Sequence, residues 1–393
     1  MRQQASTEED IKLCTALDNM RYKDCTPKDI LFLRSRITSQ VGKVSICSPE
    51  FRNISIITAM NVQKDEINRL GCLRFAQETK QKLTHFFSED SLNTSNVLVS
   101  QTQKKKKPTR RLTCISDRLQ QILWNLSHSS SSKHVAGKLS LCIGLPIIIK
   151  CNAATELCIT NSQEATVMGW QSKYGKRGQQ MLDTLFVKLQ NPPYNVNLDD
   201  LPENVVPLTC TTNTITCKLP DDGNLSISRT QVEILPNFAM TDFASQGKTR
   251  PYNPVDLNNC RSHQAYYTAL SRSATAAGTV ILQGFDAGKI TGRASGALRQ
   301  EFRELELLDE ITKLQYESRL PQSVMGDRRI ALIHTYRLHK GMSYVPAIVH
   351  HSIRWNKADP MLDSKDNNVE WKIVEKTKVK PTIVVVSTKQ EKI

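Results

Sequence analysis

The stretch from Asn237 to Phe285 limits the possible folds more than any other part of the chain. It is entered through a short apolar run, Ile234 to Met240, and passes into a polar, glycine-containing turn from Thr241 to Thr249. Gln264 to Ser271 then sets Tyr266, Tyr267 and Leu270 at the spacing of a core-facing helix and delivers Arg272 at its end. A β-rich run, Thr279 to Leu282, follows. Two strands flanking a loop and a helix predict the edge of a mostly parallel α/β sheet. The loop then lies at the carboxyl end of a strand, where ligands of such sheets usually sit.

The wording of this stretch also carries a resemblance. Thr241 to Thr249 reads Thr-Asp-Phe-Ala-Ser-Gln-Gly-Lys-Thr. It resembles motif V of superfamily 1B DNA helicases of the Pif/RecD type, usually Thr-x-His-Lys-Ser-Gln-Gly-x-Thr. Phe243 and Ala244 stand in place of the His and Lys. Tyr267-Thr-Ala-Leu-Ser-Arg-Ser273 resembles their motif VI, usually Tyr-Val-Ala-Leu-Ser-Arg. Ala-Ser-Gln-Gly-Lys-Thr-Arg-Pro-Tyr at 244–252 is similar to helicases carried by fungal Helitron-type transposons.

The resemblance implies an α/β fold: the second RecA-like motor domain of a helicase, in the P-loop NTPase superfamily, with a small inserted β-barrel. It implies that Arg272 is the catalytic arginine that reaches across a cleft to a γ-phosphate. An always-charged, bidentate guanidinium suits that task. Gln246 and Gly247 join Arg272 as expected nucleotide-binding residues. Thr241, Ser245, Lys248 and Arg250 are expected at single-stranded DNA, through hydroxyl and cationic groups.

Taken in order, residues 1–45 read as polar helices, with Ile11, Leu13, Leu17, Ile30, Leu31 and Leu33 as apolar positions. They resemble the helical end of a first motor domain. Residues 46–87 are expected to start the second, with a strand at Asn53 to Thr58. Asn61 is expected to cap a helix buried through Val62, Ile67 and Leu70. Residues 88–136 read as a basic, low-complexity, flexible insert with a short helix near Asp117 to Leu126. Its cluster Lys104, Lys105, Lys106, Lys107, Arg110 and Arg111 is of the kind nuclear import reads, and it equally suits DNA phosphates.

Residues 137–233 are expected to form the barrel, with strands near Leu185 to Leu189, Val205 to Leu208 and Thr214 to Leu219, and a hairpin turn at Asp221 to Gly223. Asn152 and Asn161 match family positions beside the DNA path. Ser162 and Ala165 stand where the family has glycines. Residues 234–320 complete the motor domain and include an amphipathic helix, Leu298 to Leu314, whose apolar side is Leu298, Phe302, Leu305, Leu308, Ile311 and Leu314. Residues 321–393 form an extension of unassigned fold.

The 393 residues carry 53 Lys and Arg against 38 Asp and Glu, a net charge of +15, which favours a polyanion partner. Eleven cysteines with no signal peptide suggest reduced thiols in cytosol or nucleus, and the basic cluster favours the nucleus. No apolar run approaches the roughly 20 residues that span a bilayer, so no membrane partner is expected.

A nucleotide-driven motor also needs a glycine-rich loop to cradle phosphates. None is present: Gly247-Lys-Thr249 ends like one, but Asp242 stands where its first glycine belongs. Leu307-Leu-Asp-Glu310 imitates an acidic magnesium motif but falls within helical periodicity. Cys260 and His263 lack a second metal-binding pair, and no metal site is expected. ATP and Mg2+ are therefore expected only with a complete first motor domain, separate or missing from this chain. The alternative is a truncated, catalytically inactive helicase-derived protein that binds nucleic acid.

Overall fold

The computed structural model describes residues 6–38, 48–92 and 115–342, residues 3 and 46, and the backbone of 370–374 and 382–386. The basic cluster at 104–111 lies outside them. The chain divides into two compact units, residues 1–21 with 25–290, and residues 22–24 with 291–393.

The first unit contains the expected parallel sheet. Four strands of three residues each, β1 (Ile56–Thr58), β12 (Ala239–Thr241), β13 (Asn253–Val255) and β14 (Thr279–Ile281), pair in parallel in the order β12-β1-β13-β14. A sheet covered on both faces draws on residues that are apolar throughout, and Ile57, Met240, Val255, Val280 and Ile281 are all buried.

Helices α1 (Glu8–Arg21), α2 (Pro27–Ser35) and α5 (His263–Leu270) complete that core through Leu13, Leu17, Leu33, Tyr266 and Leu270. Thr26 opens α2 with a reciprocal capping box to Asp29. Helices α1 and α2 thus pack within the parallel-sheet core. The Thr38 amide also donates to the Ile281 carbonyl at 2.8 Å, extending the sheet edge. Ile11 and Leu31 turn out to solvent.

Helix α3 (Asn61–Glu78) follows β1, and the chain then builds antiparallel sheets before returning at β12. Strands β5 (Pro146–Ile149), β6 (Glu164–Tyr174), β7 (Gln180–Leu189), β8 (Val205–Thr209) and β11 (Ile234–Pro236) pair in the order β11-β5-β6-β7-β8. Strand β2 (Thr84–Phe87) pairs with β4 (Lys138–Leu141), while β3 (Glu89–Leu92), β10 (Asn224–Gln231) and β9 (Thr211–Lys218) form a third sheet. The expected hairpin turn joins β9 to β10: the Leu219 amide donates to the Gly223 carbonyl, and Asp222 takes φ +60°.

Three expectations are corrected here. The apolar run Ile234 to Met240 is two strands, β11 in the antiparallel sheet and β12 in the parallel one. The side chain of Asn68 holds the crossing between them, accepting from the Phe238 and Ala239 amides at 2.8 and 2.9 Å and donating to the Ala239 carbonyl at 3.1 Å.

Second, α3 buries Lys64, Asn68, Cys72, Phe75 and Ala76, and leaves Val62 and Leu70 exposed. Its interior side must satisfy backbone at the crossing, which a purely apolar stripe could not do. Gly71 is required there, since a Cβ would stand 2.4 Å from the Phe238 ring. Asn61 is the first helical residue, not the cap; that position is Met60, which makes no side-chain cap bond.

Third, the expected short helix is present as α4 (Asp117–Asn125), capped by Ser116, but the serine run after it is bonded into the fold: Ser131 is buried, and the Ser132 amide donates to the Thr216 carbonyl of β9. A buried ion pair fixes this region. Arg229 Nε and Nη2 donate to Asp90 Oδ1 and Oδ2 at 2.8 and 2.9 Å, and its remaining donors reach the Val135 and Leu123 carbonyls.

In the second unit, α6 (Gly296–Tyr316) packs on α7 (Arg329–His339) around Ile311, Val324 and Tyr336. The predicted helix is present, but Leu305 is exposed and Leu307 joins the core instead. Asp309 and Glu310 lie on the helix surface as expected, with Glu310 paired to Lys340 at 3.1 Å. Strands β15 (Glu370–Val374) and β16 (Thr382–Val386) pair antiparallel. Among the described residues, no helix is long and apolar enough to cross a membrane.

Candidate nucleic-acid and nucleotide interface

The loop after β12 is pinned residue by residue. The Asp242 carboxylate accepts from the Phe243 amide at 3.0 Å, opening one 3-10 turn over Phe243–Ser245. Burial pushes the Asp242 carboxyl above the usual aspartate range despite that bond. Thr241 Oγ1 accepts from the Ala244 amide, and Ser245 Oγ donates to the Asp242 carbonyl at 2.6 Å. Gly247 then takes φ +86°, the left-handed region that disfavours a side chain.

From there the chain runs extended into β13 beside the end of α5. The Arg250 amide donates to the Arg272 carbonyl at 2.7 Å, and the Ala274 amide to the Arg250 carbonyl at 2.9 Å. Asn253, buried at the start of β13, donates to the Ala269 carbonyl and Ser273 Oγ. The two sequence motifs are therefore stitched together through backbone.

Half-buried Arg272 is held by neutral oxygens. Nε donates to the Thr268 carbonyl at 3.0 Å, Nη1 to the Lys248 carbonyl at 3.5 Å and Nη2 to Ser271 Oγ at 2.7 Å. Lys248 pairs with Glu164, the first residue of β6, at 2.6 Å. Arg250 is buried, its Nη1 makes no hydrogen bond, and burial pulls its pKa below the usual arginine range against the opposing field of Glu164. Lys150 is likewise pulled down, first by burial and then by Lys64 and Lys248, so these three ammonium groups share one neighbourhood.

Parallel strand order sorts the expected site residues between two ends of the sheet. Arg250 and Arg272 lie at the amino ends of β13 and β14. Thr241 ends β12, and exposed Gln246 faces the carboxyl side, where it lines a cavity. The expected nucleotide group is thus split between two segments: Gln246 and Gly247 lie on the loop after β12, and Arg272 follows α5. Ser245 is fully buried and braces the turn, and Arg250 is buried rather than presented to solvent.

Asn152 and Asn161 are both exposed and joined, the Asn161 amide donating to Asn152 Oδ1 at 2.7 Å. Ser162 takes the left-handed conformation, with φ +75°, where the resembled motif has glycine.

Sequence reading missed Glu164, Lys150 and Lys64. The only signal they leave is a charge at the end or start of an apolar element, as in Ile147-Ile-Ile-Lys150. The residues around Gly247 do not fit a nucleotide phosphate cradle. Gly247-Lys-Thr249 leads into extended chain and β13, not into a helix whose amides converge on an anion. Among the described residues, no group of three His, Cys, Asp or Glu is placed to hold a metal.

No protein-family model and no curated sequence matches the chain. Solved structures similar to it are Pif1 helicases, of superfamily 1B. The enzyme from Candida albicans aligns at 16% identity and TM-score 0.47, over 78% of this chain and 59% of that one. A Bacteroides Pif1 bound to single-stranded DNA aligns at 15% and 0.46, over 81% and 56%. Its complex with ADP-AlF3 and single-stranded DNA aligns at 16% and 0.45, over the same shares. This chain therefore spans less than two thirds of those helicases.

Proposed function

We propose that this chain supplies the second motor domain of a Pif/RecD-type, Helitron-like DNA helicase, binding single-stranded DNA and lending Arg272 to a nucleotide held by a partner motor domain. The observation that carries this reading is the backbone junction at Arg250, Arg272 and Ala274. It joins the two helicase-like motifs in one rigid assembly with a guanidinium at its edge. The loop from Thr241 to Arg250 runs continuously from the carboxyl-end cavity to Arg272. A change at either end is then felt at the other.

The antiparallel sheets between α3 and β12 correspond on this reading to the small inserted barrel, and Lys150, Lys248, Asn152 and Asn161 lie on the side that meets DNA. Basic groups that track a backbone give salt-sensitive, sequence-tolerant binding. On this reading ATP and Mg2+ enter with the partner domain, since the loop around Gly247 does not form a phosphate cradle. Alone, the chain is a nucleic-acid-binding protein. The basic cluster at 104–111 directs it to the nucleus on the same reading.

The test is binding of a labelled oligothymidine across a salt series. Affinity should fall log-linearly with salt, with a slope of about −0.7 per phosphate neutralised. Affinity independent of salt, or no binding at low salt, would rule the reading out.

A further inference from the structure

A cavity of about 500 Å³ opens at the carboxyl ends of β12, β1 and β13. Connections diverge there: β1 leads to α3 and β13 leads to α5, with β12 on the far side of β1. In open parallel sheets this divergence marks the crevice where ligands bind. Phe243 contributes to the lining and is 77% exposed. Its ring is presented by a pinned turn, since its amide is held by Asp242 and its carbonyl accepts from the Gln246 amide.

Three side-chain amides, on Gln246, Asn259 and Gln264, also line the cavity and make no hydrogen bond among the described residues. An unengaged amide offers both donor and acceptor, the complement of a base edge. The charged groups of the lining are Asp242 and Arg261, one of each sign. That is too little positive charge for a triphosphate, and enough for one base with its adjoining phosphate.

We propose that this cavity receives one unstacked nucleobase of single-stranded DNA, with Phe243 as the stacking face and Gln246, Asn259 and Gln264 meeting the base edge. The assignment rests on the single-strand reading above and goes further, because Phe243 stands where the resembled motif has histidine. An aromatic platform accepts any base, since every base has a π-face.

The test is a two-by-two comparison using the full chain: wild type and Phe243→Ala, each with oligothymidine and with the same strand carrying abasic sites. Loss of stacking should weaken Phe243→Ala about tenfold or more on the intact strand. The abasic strand should bind wild type equally weakly and show no further loss in the variant. Phe243→Trp should retain binding and quench a 2-aminopurine placed in the strand. Tyr174→Ala, which removes another exposed ring at the end of β6, should change nothing.

If wild type binds with the expected salt dependence but Phe243→Ala and the abasic strand cost nothing, the pocket is refuted and the single-strand reading stands. If wild type binds neither strand at low salt, both are refuted. Because the ring is exposed, Phe243→Ala should keep the wild-type thermal midpoint. A loss of affinity that persists undiminished on the abasic strand also refutes stacking.

Discussion

Arg229 and Arg250 are both buried, one among the antiparallel strands and one at the motif junction, and the protein treats them in opposite ways. Arg229 has a carboxylate in bidentate geometry and carbonyls for its other donors. Arg250 has one guanidinium nitrogen without a hydrogen bond and the more distant field of Glu164. The first arrangement is what a structural ion pair requires, since a buried charge is tolerated only when it is paired and bonded. The second leaves electrostatic demand unmet. The contrast separates a satisfied buried ion pair from a buried charge left unsatisfied, within a single folded unit.

The sharpest way to break this comparison is to remove a partner of Arg229. Asp90→Ala leaves a buried guanidinium uncompensated and should cost about 3–5 kcal/mol in urea unfolding. A loss below about 1 kcal/mol would show that the pair is not structural. Arg250→Met should behave oppositely, being neutral or stabilising by about 1 kcal/mol, because it deletes an unsatisfied buried charge while keeping the volume filled. Destabilisation on the scale of Asp90→Ala would erase the distinction.

Lys248→Met tests whether the junction side meets a strand. The log-log salt slope for oligothymidine should become shallower by about 0.7, with affinity lowered similarly for any base composition. An unchanged slope would remove Lys248 from the interface.

The smallest effect expected is pH-dependent. The raised pKa of Asp242 means that its neutral form is favoured by folding. Its stabilising contribution is full below the usual aspartate range and is lost as pH rises through the raised value. Asp242→Asn removes that titration, so thermal midpoints of the two proteins should diverge over this window and then run parallel. A difference constant across the window would refute it.

Strands β1, β12 and β14 and helix α5 were legible because their signals are local, β-branched runs and a helical spacing, whereas β13 and the backbone junction of the two motifs left no such signal. Other features depended on partners remote in sequence. Asn68 lies 170 residues from Phe238, the amide it satisfies, so an amphipathic count on α3 placed Ile67 against the core but misjudged Val62 and Leu70. Arg229 and Asp90 are separated by 139 residues. Ser245 and Arg250 occupy motif positions that suggest solvent, yet the tight turn and the bridge to Ser273 bury them. The serine run at 127–132 looked flexible by composition, and β9 orders it through backbone bonds that composition does not reveal. Glu164 left only a charge at the start of a strand, because its pairing with Lys248 exists only once β6 meets the motif loop.

ATP turnover by the chain, alone and mixed with a P-loop-bearing first motor domain of a Pif/RecD-type helicase, tests the central claim most directly when wild type is compared with Arg272→Ala. The account predicts no turnover alone. With the added domain it predicts DNA-stimulated turnover that falls by about 10³–10⁵ in Arg272→Ala. Turnover by the isolated chain, or a restored rate indifferent to Arg272, would contradict it.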